Sequence, residues 1–187
     1  MSFETTESPA AESVVLTEAP DVVLEPPAPP ARLQGPTAYA IGLVVIVVDQ
    51  LSKLWVLHGL GLPVLGSIKV LGPLNLTMVW NRGVSFGLFR GEAEWVRWAL
   101  ATFSLGVAIG LGVWVRRVER PLLGLAIGLV MGGAIGNMID RVRLGAVADF
   151  IDVKALMFPW VFNVADSAIT VGVILLLLDS LRSEAKS

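Results

Sequence analysis

Ten residues able to do chemistry stand in or beside long apolar stretches: Asp49, Gln50 and Lys53, then Asn137, Asp140 and Arg141, then Asp149, then Asn163 and Asp166, with Asn81 in the loop between the first two stretches. A charge in or near hydrocarbon costs several kcal/mol unless it is paired, so such residues are functional candidates by default. Two of them stand out. Asp149 is expected in the loop that follows Arg141, just after its glycine, and is flanked by Ala148, Phe150 and Ile151, which would bury it. Asp166 is expected about five residues, on the order of 8 Å, inside an apolar stretch. Two carboxylates in one partly desolvated cleft cannot both ionise easily and tend to share a proton. An aspartyl hydrolase uses that state: one carboxylate takes a proton from water while the other, protonated, donates to the carbonyl oxygen.

Each residue also has a structural reading. Asn163 and Asp166 are spaced as a capping-box-like pair at a helix start, and Asp149 could simply pair with Arg141 or Arg143. Asp49 and Lys53 are an i,i+4 pair with the acid first, although the lysine could instead snorkel outward. Asp140 at the end of an apolar helix opposes the dipole and calls for a partner, which an arginine can supply. Ser52 beside Lys53 is poor geometry for a serine/lysine dyad, because adjacent helical positions do not face each other. Ser85 remains a remote nucleophile. There is no cysteine, so thiolate chemistry is excluded, and the single histidine, His58, suits an interfacial position better than a metal centre.

These residues need a scaffold, and composition dictates which. The chain has 187 residues, 55% of them hydrophobic, and a net charge of -2. Its mean hydropathy is +0.74, and together these describe an integral membrane protein. Four stretches approach the roughly 20 residues that a helix needs to cross the bilayer: 37–57, 95–115, 121–139 and 161–178. Residues 1–36 are an acidic, Pro-rich tail expected to be disordered; without a basic start and apolar core it is no secretory signal, so the first span is a permanent anchor. Residues 67–70 and 74–80, separated by Gly72-Pro73, predict a hairpin, and Trp80 suggests that it lies on the membrane surface. Gly124, Gly128, Gly132 and Gly136 recur every four residues, as do Gly106 and Gly110, which predicts close helix packing. Four spans put both termini on one side with Arg116, Arg117 and Arg120, the cytoplasmic side by the positive-inside rule. The full count of Lys and Arg gives six on that side and eight on the other, so the orientation rests on local neutralisation of the latter.

The ordered blocks DQLSK at residues 49–53, NRGVSFG at 81–87, GNMIDRVRLGAVADF at 136–150 and FNVAD at 162–166 resemble the lipoprotein signal peptidases, or signal peptidase II, bacterial inner-membrane aspartyl proteases. The resemblance extends over residues 37–178. It implies an all-α membrane protein of four transmembrane helices with a small extracytoplasmic β-cradle. The peptidase domain would be 37–180, with a short cytoplasmic tail at 181–187. By position in the motifs, Asp149 and Asp166 would be the catalytic dyad. Asp49, Lys53, Asn81, Gly83, Asn137, Asp140, Arg141 and Asn163 would support the site or hold substrate.

The implied reaction is cleavage before the lipidated cysteine of a diacylglyceryl-modified prolipoprotein, with no metal or other cofactor and with susceptibility to the cyclic peptide globomycin. The partners expected are that prolipoprotein and membrane lipids, not nucleic acid, and the chain is expected to be a monomer. Val84-Ser85 replaces the two alanines more usual in the family, and the acidic tail is longer than usual. Two other functions fit the bare residues: a small proton-coupled carrier, which would use intramembrane carboxylates as a relay, and a non-catalytic scaffold built on the glycine faces.

Overall fold

Apolar runs make the long helices, and proline opens two of them. In the computed structural model, which describes residues 33–83 and 93–184, Pro36 opens α1 (Gly35–Leu54) and Pro121 opens α4 (Pro121–Leu144). Gly145, at φ 78°, stops α4 in the left-handed conformation that glycine adopts without strain. The tail up to residue 32, the Val84-Ser85 departure and the Ser85 candidate lie outside the described residues, while Gly35 and Pro36, expected in the tail, already belong to α1. Between α1 and the next long helix come a π-helical turn (Trp55–Gly59), a short helix α2 (Leu62–Leu65) and strands β1 (Ser67–Leu71) and β2 (Leu74–Asn81). Then follow α3 (Ala93–Val115), α4, strand β3 (Val147–Asp152), strand β4 (Val161–Phe162) and α5 (Val164–Glu184). The expected hairpin at 67–80 is present, and His58 is exposed in the π-helical turn.

Four helices are long and apolar enough to cross a membrane, and α4 is the axis of the bundle: 67% of its apolar window is buried, against 17 to 28% for the others. Glycine makes this possible. A β-carbon on Gly128 would stand 2.7 Å from the carbonyl oxygen of Ala38, and one on Gly132 would stand 2.6 Å from that of Gly42, so α1 crosses α4 backbone to backbone. On the other flank Gly133 meets the Ala165 carbonyl at 2.5 Å, and Gly172 of α5 meets that of Ala126 at 2.9 Å. The second expected packing face does not form, because Gly106 and Gly110 of α3 have open space where a side chain would be. Both are exposed, whereas α3 buries Ala101, Ala108 and Val115, the last packed with Leu123 and Ile127 of α4.

The four strands form one antiparallel sheet in sequence order. Three expectations need correction here. Asp149 is not in a loop but on β3, a strand buried on both faces. Span three does not end at residue 139: α4 runs on to Leu144, so Asp140 and Arg141 are helical. Span four does not start at 161, since 161–162 pair with β3 and the helix begins at Val164, which puts Asp166 in its first turn instead of five residues deep. Buried apolar side chains gather at both ends of the bundle. Ala38, Val115, Val118, Leu123 and Ile127 form one cluster, and Val56, Leu62 and Phe150 form another beneath the sheet. The polar residues collect at the sheet end.

Candidate active site

The sheet and the start of α5 bring Asp149 and Asp166 to one cleft. β2 carries one residue more than β3 between the pairs Leu76↔Ile151 and Val79↔Asp149, a bulge directly beside Asp149. Bulges turn a strand locally and re-aim its side chains, and this one sits where aim matters. Val79 and Asp149 are direct partners, as are Asn81 and Val147, so Asn81 shares the face of the sheet that Asp149 presents. Asn81 itself is exposed and accepts the Gly83 N–H at 2.8 Å; Gly83, at φ 86°, has the left-handed backbone this turn needs.

Asp166 is half-buried and does two things at once. Its N–H donates to Oδ1 of Asn163 at 2.9 Å, while its own Oδ2 accepts the Asn163 N–H at 3.3 Å, the reciprocal capping box that the sequence spacing suggested. Its other oxygen, Oδ1, accepts from the Asn137 amide at 2.7 Å. Asp149 is 2% exposed, and its Oδ1 accepts from the fully buried Asn163 amide at 2.7 Å. The amide of Asn163 also reaches Oδ1 of Asn137 at 3.1 Å. The two carboxylates are therefore bridged, Asp149 to Asn163 to Asn137 to Asp166, with each amide's orientation fixed by its neighbours.

Beneath this bridge lies a buried ion cluster. Lys53 Nζ is 2.8 Å from Oδ2 of Asp49 and 2.8 Å from Oδ2 of Asp140, and it donates to Oδ1 of Asn137 at 3.3 Å. It does not snorkel, because two carboxylates hold it inside. Two carboxyl groups share this one ammonium, and further donors satisfy their remaining oxygens. Asp49 accepts the Ala165 N–H at 3.0 Å, Asp140 accepts the Ala148 N–H at 3.1 Å, and the Gln50 amide donates to both, at 3.1 and 3.0 Å. Breaking a buried pair by removing one partner typically costs about 3–5 kcal/mol, so this cluster fixes the geometry above it. Ala148 and Ala165 each immediately precede an aspartate of the cleft. Asp49 and Asp140 thus grip the backbone beside Asp166 and Asp149.

The expected arginine partner of Asp140 is replaced by Lys53. Arg141 donates to the Asn137 carbonyl at 3.3 Å, and among the described residues it closes no ion pair. Nor does Asp149 pair with Arg141 or Arg143; Arg143 reaches Oε1 of Gln50 at 3.4 Å. Arg97 of α3, which the sequence reading passed over, donates to the carbonyls of Arg141 and Val142 at 2.7 and 3.1 Å and so satisfies the end of α4. A lone arginine in an apolar helix was its signal.

The cleft has a volume of about 530 Å³, with Asn81, Asp149 and Asp166 at one end. Phe158, Trp160 and Phe162 form a wall, Phe158 packing edge-on against Trp160 at 5.3 Å and Phe162 at 5.7 Å. Ser167, Thr170 and Val171 of α5 form the opposite side. Burial raises the Asp149 carboxyl from 3.8 to about 7, with the nearby Asp166 charge acting in the same direction and the Asn81 and Asn163 amides opposing. Asp152 on the same strand goes the other way, lowered first by the Thr77 hydroxyl and then by the Lys154 N–H, so the shift at Asp149 belongs to its site and not to the strand. Among the described residues no three His, Cys, Asp or Glu side chains are placed to hold a metal ion. An acid raised to about 7, beside a second carboxylate in an apolar cleft, can take part in activating water against a carbonyl.

A family model described as signal peptidase (SPase) II matches residues 41–182. The lipoprotein signal peptidase of Caulobacter vibrioides is 60% identical over 152 residues, covering 81% of this chain and 90% of its own length. That of Methylorubrum extorquens is 47% identical over 151 residues, covering 78% and 88%. Among solved structures, a bacterial membrane enzyme determined in meso at 2.3 Å superposes with a TM-score of 0.69 at 29% identity, covering 81% of this chain and 92% of that one. A second, at 1.9 Å, gives 0.67 at 32% identity, covering 78% and 93%.

Proposed function

Because this chain belongs to the signal peptidase II family, a family of membrane proteases, we propose that it is an aspartic endopeptidase that removes the signal peptide from diacylglyceryl-modified prolipoproteins, cutting just before the lipidated cysteine. The observation that carries this reading is the convergence of Asp149 and Asp166 on one aromatic-walled cleft, bridged through Asn163 and Asn137. Neither the carrier nor the scaffold reading draws support from a family of peptidases.

The proton rests on Asp149, the more deeply buried acid. Asp166, at the start of α5 and held by the Asn137 amide and the Asn163 N–H, is assigned the role of general base. Asp166 takes a proton from a water placed between the two, and the resulting hydroxide attacks the scissile carbonyl carbon while Asp149 donates its proton to the carbonyl oxygen. Collapse of the tetrahedral intermediate breaks the C–N bond, with the proton on Asp166 passing to the leaving amine and Asp149 recovering its own from the intermediate's hydroxyl. Asn163, Asn137 and the Lys53 cluster hold the two acids in place.

The apolar cleft suits a substrate already anchored in the bilayer, whose acyl chains lie along the exposed aromatic wall: Trp160 is 66% and Phe158 43% exposed. In this reading the protein spans the bacterial inner membrane with both termini in the cytoplasm, and the cleft opens near the periplasmic face. It acts as a monomer. The test is cleavage by the purified protein of a prolipoprotein with and without its diacylglyceryl group. Release of the signal peptide from the lipidated form alone is expected; equal cleavage of both forms would overturn the substrate assignment.

A further inference from the structure

A second cavity, of about 420 Å³, lies in the membrane-spanning part of the bundle, between α1, α3 and α4. Tyr39, Ile46, Leu105, Gly112 and Ile135 line it, and Arg116 stands at its mouth. The Tyr39 hydroxyl donates to the Gly112 carbonyl at 2.6 Å, pinning α1 to α3 along one wall. The mouth is held too, since the Gln34 N–H donates to the Val118 carbonyl at 2.8 Å and the backbone of Arg116 packs beside Gly35. This end of the bundle is opposite the two aspartates, and nothing in the catalytic reading uses the groove.

From Leu105 to Arg116 the groove follows α3 for roughly 16 Å at the helical rise per residue. That is the hydrocarbon depth of one leaflet, half of about 30 Å. Its walls are apolar, its one charge among the described residues is a cation, and no described carboxylate pairs with that cation. Arg120 in the same connection is paired with Asp179 at 2.9 Å, whereas Arg116 has no carboxylate partner among the described residues. A transmembrane helix is too wide to lie in such a slot, but a single acyl chain fits it, and a basic site between helices selects an anionic headgroup.

We propose that the groove between α1, α3 and α4 binds one acyl chain of an anionic phospholipid, with the lipid phosphate on Arg116. The test uses nanodiscs of equal phosphatidylglycerol and phosphatidylcholine with matched chains, from which the protein is released and its retained lipids counted by native mass spectrometry. The unsubstituted protein should retain phosphatidylglycerol over phosphatidylcholine by about fivefold, the preference expected of one arginine at a headgroup. Arg116→Gln should abolish the preference, while Arg117→Gln, at a neighbouring arginine outside the groove, should leave it. Gly112→Leu points its new side chain at Tyr39 and Met131 and should expel both lipids. No preference in the unsubstituted protein, equal effects of Arg116→Gln and Arg117→Gln, or retention of a second protein copy in place of lipid would each overturn the proposal. The two arginine substitutions lie at the exposed end of the bundle, so the test stands even if Gly112→Leu fails to fold.

Discussion

Burial in the fold makes Asp149 a weaker acid than a free aspartate, and that has a consequence for stability as well as chemistry. Its pKa in the folded chain is raised to about 7, while an unfolded aspartate ionises near 3.8. Below about pH 4 the group is neutral in both states and costs nothing; as pH climbs toward 7 the unfolded chain ionises freely and the folded chain resists, so stability is lost across that window. Asp149→Asn should therefore melt several degrees above the unsubstituted protein at about pH 8, with the gap closing toward pH 4, since each kcal/mol moves the midpoint by about 2–4 °C in a chain of this size. Differential scanning fluorimetry in detergent reads this directly; an asparagine variant that melts no higher at pH 8 would contradict the buried-acid account. The same proton gives the activity its pH dependence. Cleavage should fall as pH rises through about 7 and Asp149 loses the proton it is proposed to donate.

At the scale of elements, the site depends on how closely α1 and α5 approach α4. Gly132→Leu would drive a side chain into the Gly42 carbonyl, 2.6 Å from its β-carbon, and the Val45 side chain at 2.8 Å. Because the obstacle is backbone, the cost should reach or exceed the ~1–3 kcal/mol of ordinary overpacking, lowering the melting midpoint by several degrees. Gly110→Leu on the open face of α3 should leave the midpoint unchanged or raise it slightly, since leucine is the better helix former; equal losses in both variants would refute the packing asymmetry. The glycine spacing in α4 made this interface legible from sequence, whereas the same spacing in α3 misled, because nothing in a local pattern says whether a partner helix lies opposite. The β1–β2 hairpin was equally readable from its Gly-Pro turn. β3 was not: a strand buried on both faces with acids at 149 and 152 shows neither alternation nor a long apolar run. The capping box of Asn163 and Asp166 was visible as spacing, but β4 was read as part of the helix because Val161 and Phe162 continue its apolar character. The Asp49–Lys53 pair was legible as i,i+4 spacing, but the Lys53–Asp140 pair joins α1 to α4, which one-dimensional spacing cannot reveal.

For the whole molecule, the account requires the sheet and the α3–α4 connection to lie on opposite sides of the membrane. The chain has no cysteine, so a single introduced thiol reports its own side. Ser67→Cys should react with a membrane-impermeant maleimide added outside intact spheroplasts, and Arg117→Cys only after permeabilisation; the reverse pattern would invert the proposed orientation. Within that frame the two aspartates are the centre of the account, tied to α1, α4, β3 and α5 by one continuous set of polar contacts. The most direct test is cleavage of a diacylglyceryl-modified prolipoprotein under single-turnover conditions by the unsubstituted protein and by the Asp149→Asn and Asp166→Asn variants, each verified as folded in the same detergent. Both variants should lose roughly 100-fold or more of the rate while remaining membrane-inserted, the scale set by removing a general acid or base. Near-normal cleavage by either folded variant would contradict the two-carboxylate mechanism.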